Sequence, residues 1–125
     1  MQKEKKKVLA VVDDLLFTVK ISDAAKRAGL DAQFIKSEKD LLDKAGEKPL
    51  LIILDLNATS VQPLKLISKL KGNGDLKNVS VIAFLSHVQG ELKQKAQEAG
   101  ANMVMTRSAF SQNLQQILRR HAGIV

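Results

Sequence analysis

The chain reads as a three-layer α/β/α domain, a doubly wound sheet of five parallel strands covered by helices on both faces. Three observations predict this class. Short β-branched apolar runs alternate with stretches of helical period, and glycines or capping residues stand at the junctions. The alternation occurs five times, whereas a closed barrel needs eight units. Right-handed crossovers then leave few arrangements, and the expected strand order is 2-1-3-4-5.

The elements follow in order. Val8-Leu9-Ala10-Val11-Val12 is unbroken and β-branched, as a strand buried on both faces should be. From Leu16 the period changes: Phe17, Ile21, Ala24, Ala25 and Ala28 share one helical face, and Gly29 supplies the stop. Ala32-Gln33-Phe34-Ile35 alternates, as an edge strand does. Ser37-Glu38-Lys39-Asp40 resembles a capping box for a short helix with Leu41, Leu42 and Ala45 inward, ending at Gly46. Pro49 through Leu54 is the most apolar run and stops abruptly at Asp55. A polar loop follows, then Pro63 in a first helical turn, with Leu64, Ile67 and Leu70 as the inward face and Gly72 and Gly74 closing it. Val79–Leu85 is the fourth strand. Val88, Leu92, Ala96 and Ala99 mark the fourth helix, closed by Gly100. Met103-Val104-Met105 is a short fifth strand. Phe110, Leu114, Ile117 and Leu118 mark a last helix, with Ser108 as the expected N-cap.

Composition narrows the function classes. The 125 residues suffice for one domain whose folding hides roughly 68% of the unfolded chain's surface. With no cysteine, neither a disulfide framework nor a thiolate metal site can form. No apolar run approaches a membrane span and the basic N-terminus lacks an apolar signal stretch, so a cytoplasmic protein is expected. Residues 1–7 read as a basic tail, 8–121 as the domain and 122–125 as a C-terminal tail. The net charge of +7 comes from 20 basic and 13 acidic residues, and the N-terminal lysines account for much of the excess. Its only aromatics are four Phe, with no Tyr or Trp to stack on bases, so the charge reads as solvation and not as a nucleic-acid surface.

In an open parallel sheet, ligands bind beyond the carboxyl ends of the strands where strand order reverses. Asp13 and Asp14 lie just past the first strand and Asp55 just past the third. As neighbours, those strands open all three carboxylates onto one crevice. Clustered carboxylates repel unless a cation or proton compensates, and hard oxygen donors suit Mg²⁺. Singly, each Asp reads as an ordinary helix or loop cap; together they point to a site.

Val11-Val12-Asp13-Asp14, Ile52-Ile53-Leu54-Asp55 and the spacing between them resemble the receiver domain of two-component response regulators, of the chemotaxis-receiver kind. The resemblance runs from about Lys7 to Arg119 and includes Glu98-Ala99-Gly100-Ala101 before the fifth strand. It implies the flavodoxin-like receiver fold and a phosphoryl acceptor at Asp55. It also implies a weakly held Mg²⁺ at the acids after the first strand, with the Asn57 backbone carbonyl completing the set. Either Asp13 or Asp14 is then the ligand, Asp14 being preferred because it directly precedes Leu15-Leu16-Phe17.

The chain departs from that pattern where receivers sense phosphate. Counting back from Gly100 puts Leu85 at the position of the family's Thr or Ser, with Ser86 one residue later. Arg107-Ser108 stands where the family has Lys-Pro. Arg keeps the charge but offers a planar fork in place of a point charge. Without Pro, a cis bond there would cost about 3 kcal/mol and is not expected. The family's aromatic switch falls on Val104, which has no such toggle. His87, beside Ser86, reads as a solvent-facing loop histidine, and His121 as a cation at a helix C-terminus with Arg119 and Arg120. No glycine-rich phosphate loop, nucleophile elbow or Asp-x-His cobalamin signature occurs.

The expected function is that of a stand-alone receiver in a phosphorelay, not an enzyme. Asp55 takes phosphate with Ser86 and Arg107 beside it, and the donor is a histidine kinase or phosphotransfer protein. Output is expected by protein contact through the helix 4–strand 5–helix 5 face, which carries Lys93, Arg107 and Arg119. The rival is a degenerate, phosphorylation-independent module for protein binding or homodimerisation. A small-molecule or nucleic-acid binder on the same scaffold is the weaker third reading.

Overall fold

Strand and helix alternate strictly through residues 6–86 and 90–123, the residues that the computed structural model describes. The order is β1 (Lys7–Val11), α1 (Leu15–Arg27), β2 (Asp31–Phe34), α2 (Glu38–Ala45), β3 (Leu51–Asp55), α3 (Pro63–Gly72), β4 (Ser80–Leu85), α4 (Gly90–Ala99), β5 (Met103–Thr106) and α5 (Arg107–His121). All neighbouring strands are parallel, in the order β2-β1-β3-β4-β5. The expected topology and order are those observed. Met1–Lys5, Ile124 and Val125, which hold most of the two expected tails, lie outside the described residues, as do His87 and Val88.

Alternation along the strands makes two cores. Leu9, Val11, Ile52, Leu54, Val81, Ala83, Leu85 and Val104 face α2, α3 and α4. Val8, Ala10, Leu51, Ile53, Ile82 and Phe84 face α1 and α5, whose Phe17, Ile21, Phe110 and Leu114 close over them. Central β3 is buried throughout, and edge strand β2 is half-buried at every position. That contrast is why one run is solidly apolar and the other alternates.

The ends of helices follow local chemistry. Asp14 caps α1, its Oδ1 accepting from the Leu16 and Phe17 N–H groups. Ser37 caps α2 as expected, accepting from the Asp40 N–H. The N-cap of α5 is Thr106 instead of Ser108: the Thr106 hydroxyl accepts from the Ala109 N–H, so the helix begins two residues earlier. Between α4 and β5, Gly100 sits at φ +115, and a Cβ there would come within 2.7 Å of the Lys71 Cγ. The Lys71 ammonium in turn donates to the Lys77 and Val79 carbonyls and to Asn102 Oδ1, tying the end of α3 to the start of β5. No described helix is long and apolar enough to cross a membrane.

Candidate functional site

The rim at the carboxyl ends of β1, β3, β4 and β5 gathers Asp13, Asp14, Asp55 and Arg107. Asp55 ends β3 on the α1/α5 side of the sheet, following Leu51 and Ile53. It pairs directly with Phe84 on β4 and is 3% exposed, the one buried charged or polar residue among those described. Its Oδ1 accepts the Asn57 N–H at 2.8 Å. Burial pushes the Asp55 carboxyl above its ordinary value. The Asn57 N–H and the Arg107 charge oppose the shift, and Asp13 and Asp14 add to it.

Arg107 answers that buried charge. Side-chain parity through Met105 carries Arg107 to the Asp55 face. Its Nη1 lies 2.9 Å from Asp14 Oδ2 and its Nη2 lies 3.7 Å from Asp55 Oδ2, so one guanidinium touches both carboxylates. The same guanidinium carbon lies 4.9 Å above the Phe17 ring and 6.0 Å from that of Phe84. Phe17, Phe84 and Phe110 stack on one another at 4.7 to 6.2 Å, forming an aromatic floor under the fork. Arg107 Nε is buried and has no partner among the described residues.

Asp13 turns the other way. Its Oδ2 accepts from the Thr59 N–H and hydroxyl, its Oδ1 from the Ser60 hydroxyl. The Thr59 N–H, chiefly, holds its carboxyl below the ordinary value. So Asp13 fastens the loop after β3 to the end of β1. Leu85 points into the α2/α3/α4 core, whereas Ser86 lies exposed just past the end of β4. Its N–H donates to Asn57 Oδ1 at 2.8 Å, which ties the ends of β3 and β4 together.

The site residues read from sequence therefore meet at one rim: Asp13, Asp14, Asp55, Asn57, Ser86 and Arg107. Arg107, at the start of α5, reaches Asp14 and Asp55 at this rim, while Lys93 and Arg119 are exposed. His87 lies outside the described residues. Two features escaped the sequence reading, the Phe17–Phe84 floor and the Thr59/Ser60 clasp on Asp13. Side-chain parity along β3 and β4, set against the inward face of α1 that carries Phe17, would have found the first. The second depends on a loop path that no periodicity encodes.

The donor set, three carboxylates and the Asn57 carbonyl, suits a hard divalent cation by chemistry. Among the described residues, however, no three acidic or imidazole groups converge as a ready-made ion cage, because Asp13 is clasped and Arg107 stands between Asp14 and Asp55. A separate cleft of about 640 Å³ opens near the amino ends of β1, β3 and β4, between Lys6, Lys7, Lys44 and Lys48. It shares no residue with this rim, where the perturbed carboxylates lie.

No family model and no curated protein sequence matches the chain. Solved structures do. A response regulator from Hahella chejuensis is 20% identical at TM-score 0.81, covering 94% of this chain and 95% of that one. The chemotaxis response regulator CheY4 of Vibrio cholerae is 21% identical at TM-score 0.78, covering 94% and 99%. The receiver domain of sensor histidine kinase PA1611 from Pseudomonas aeruginosa, which holds a magnesium ion in its active-site cleft, is 18% identical at TM-score 0.79, covering 96% and 99%. With five parallel strands in the order 2-1-3-4-5 and acidic residues at the rim, this chain has the fold of response-regulator receiver domains.

Proposed function

We propose that the domain accepts a phosphoryl group on Asp55 and signals through the protein contacts that the added charge changes. One observation carries the reading: Asp55 is buried at the strand end with Oδ1 committed to the Asn57 N–H, which leaves Oδ2 facing the rim beside Arg107. A carboxylate can attack phosphorus. An Oδ2–P bond forms as the bond from phosphorus to the donor's leaving atom breaks. Arg107 offsets the negative charge, and the Ser86 hydroxyl is the expected donor to a phosphoryl oxygen. Asp55, Asp14 or Asp13, and the Asn57 carbonyl would hold Mg²⁺, which when bound would offset charge on the transferring group. The phosphoryl source would be a histidine kinase or phosphotransfer protein. The output surface would be the α4–β5–α5 face, where Lys93 and Arg119 are exposed.

Incubation with Mg²⁺ and acetyl phosphate, followed by intact mass, tests this. Wild type should gain one phosphoryl group and Asp55→Asn none. A second reading, a phosphorylation-independent binding or dimerisation module, is favoured by the double engagement of Arg107, which already offsets part of the pocket's negative charge. No adduct, together with identical behaviour of wild type and Asp55→Asn towards beryllofluoride, decides for that second reading.

A further inference from the structure

We infer that Arg107 gates the carboxylate pocket: its guanidinium and a divalent cation compete for the same oxygens of Asp14 and Asp55, and the Phe17–Phe84 floor sets how firmly the guanidinium holds them. The inference rests on the divalent-ion part of the reading above and not on phosphorylation.

An oxygen inventory makes the case. Asp14 Oδ1 is committed to the helix cap, and Asp14 Oδ2 is the atom that Arg107 Nη1 takes. Asp55 Oδ1 is committed to the Asn57 N–H, and Asp55 Oδ2 is the atom facing Arg107 Nη2. Both oxygens of Asp13 are on Thr59 and Ser60. The two carboxylate oxygens that take no backbone N–H or hydroxyl among the described residues are therefore the two that face the guanidinium, Asp14 Oδ2 at 2.9 Å and Asp55 Oδ2 at 3.7 Å. A divalent ion cannot join it there, because two cations at such range repel strongly in a partly dehydrated pocket.

The latch is also built to release. It is held by its head contacts and by the cation–π approach of its guanidinium to Phe17 at 4.9 Å, while Nε gains no partner among the described residues. Swinging outward loses the cation–π contact and two carboxylate contacts but exposes Nε to water, which satisfies it. Ion binding and latch release are then linked, each weakening the other by the same factor. A lysine could not hold the same arrangement, since an ammonium offers no fork to span two carboxylates and no plane to lie on the ring.

Mn²⁺ affinity, read by electron paramagnetic resonance of the free ion, tests the gate on wild type, Arg107→Gln and Phe17→Leu, with circular dichroism confirming the fold. Arg107→Gln should bind Mn²⁺ at least about tenfold more tightly than wild type, and Phe17→Leu more tightly by a smaller factor. Mg²⁺ titration of the wild type should move the Arg107 Nε–H resonance in step with saturation. Equal or weaker Mn²⁺ binding by Arg107→Gln overturns the gate, as does a saturating Mg²⁺ titration that leaves that resonance unmoved. Should Arg107→Gln not fold, Phe17→Leu and the wild-type resonance decide alone. An acetyl-phosphate adduct on Asp55 alongside equal affinities removes the gate and keeps the acceptor; tighter binding by the variant without an adduct does the reverse.

Discussion

At the scale of single residues, the pocket is governed by the cost of a carboxylate at 3% exposure, in direct register with Phe84. Desolvation raises the Asp55 pKa above that of the unfolded chain, so the folded state binds this proton more tightly. Its contribution to stability is full below the ordinary carboxylate value and is lost as pH rises through the raised one. Asp55→Asn keeps the shape and removes the buried charge. It should therefore stabilise the domain at pH 7 by about 1 kcal/mol, roughly 4 °C in Tm, with the gain shrinking towards acid pH. Thermal melts at pH 7 and pH 4 check this, and an equal gain at both would contradict it. Asp13 has the opposite sign. Its pKa is lowered first by the Thr59 N–H, so its contribution is present above the ordinary value and lost as pH falls through the lowered one. Asp13→Asn should speed amide exchange at Thr59 at neutral pH and have less effect at low pH.

At the scale of elements, each strand and helix is specified by signals a few residues long, which is why their order could be read before any contact was known. Leu51–Leu54 is apolar at every position because both faces are covered, and Ser37 caps α2 where its hydroxyl meets the Asp40 N–H. Reading failed where two neighbours offered the same chemistry. Thr106 and Ser108 are both competent caps, and Thr106 is used because β5 runs directly into α5 with no intervening loop. Thr106→Ala should accordingly cost about 1 kcal/mol in urea denaturation, Thr106→Ser much less, and Ser108→Ala almost nothing. Leu85 and Ser86 pose the same ambiguity. Strand parity sends Leu85 into the α2/α3/α4 core, which leaves the exposed Ser86, just past β4, as the hydroxyl available at that strand end. The residue types of the candidate site were legible from where strands end. The guanidinium between them was not, because it joins segments 93 residues apart in the chain and depends on where a long side chain turns.

At the scale of the whole molecule, the two faces of the sheet have different duties. The α2/α3/α4 side is aliphatic packing alone, whereas the α1/α5 side carries Phe17, Phe84 and Phe110 in a stack that ends beneath the Arg107 fork. Core and site are continuous on one side only. Ile67→Val on the α3 side should cost about 1 kcal/mol. Phe84→Leu on the other side should cost about 1–2 kcal/mol. The two losses are close enough to compare, yet their reach should differ. Phe84→Leu thins the floor and opens space beside Asp55, so the amide resonances of Asp14 and Asp55 and the Arg107 Nε–H should all shift. Ile67→Val should leave those three in place, because its methyl lies across the sheet from the rim. Heteronuclear spectra of both variants, with urea denaturation to match their stability losses, make the comparison. Equal shifts at the rim would mean that the pocket responds to stability in general and not to the aromatic stack beneath it.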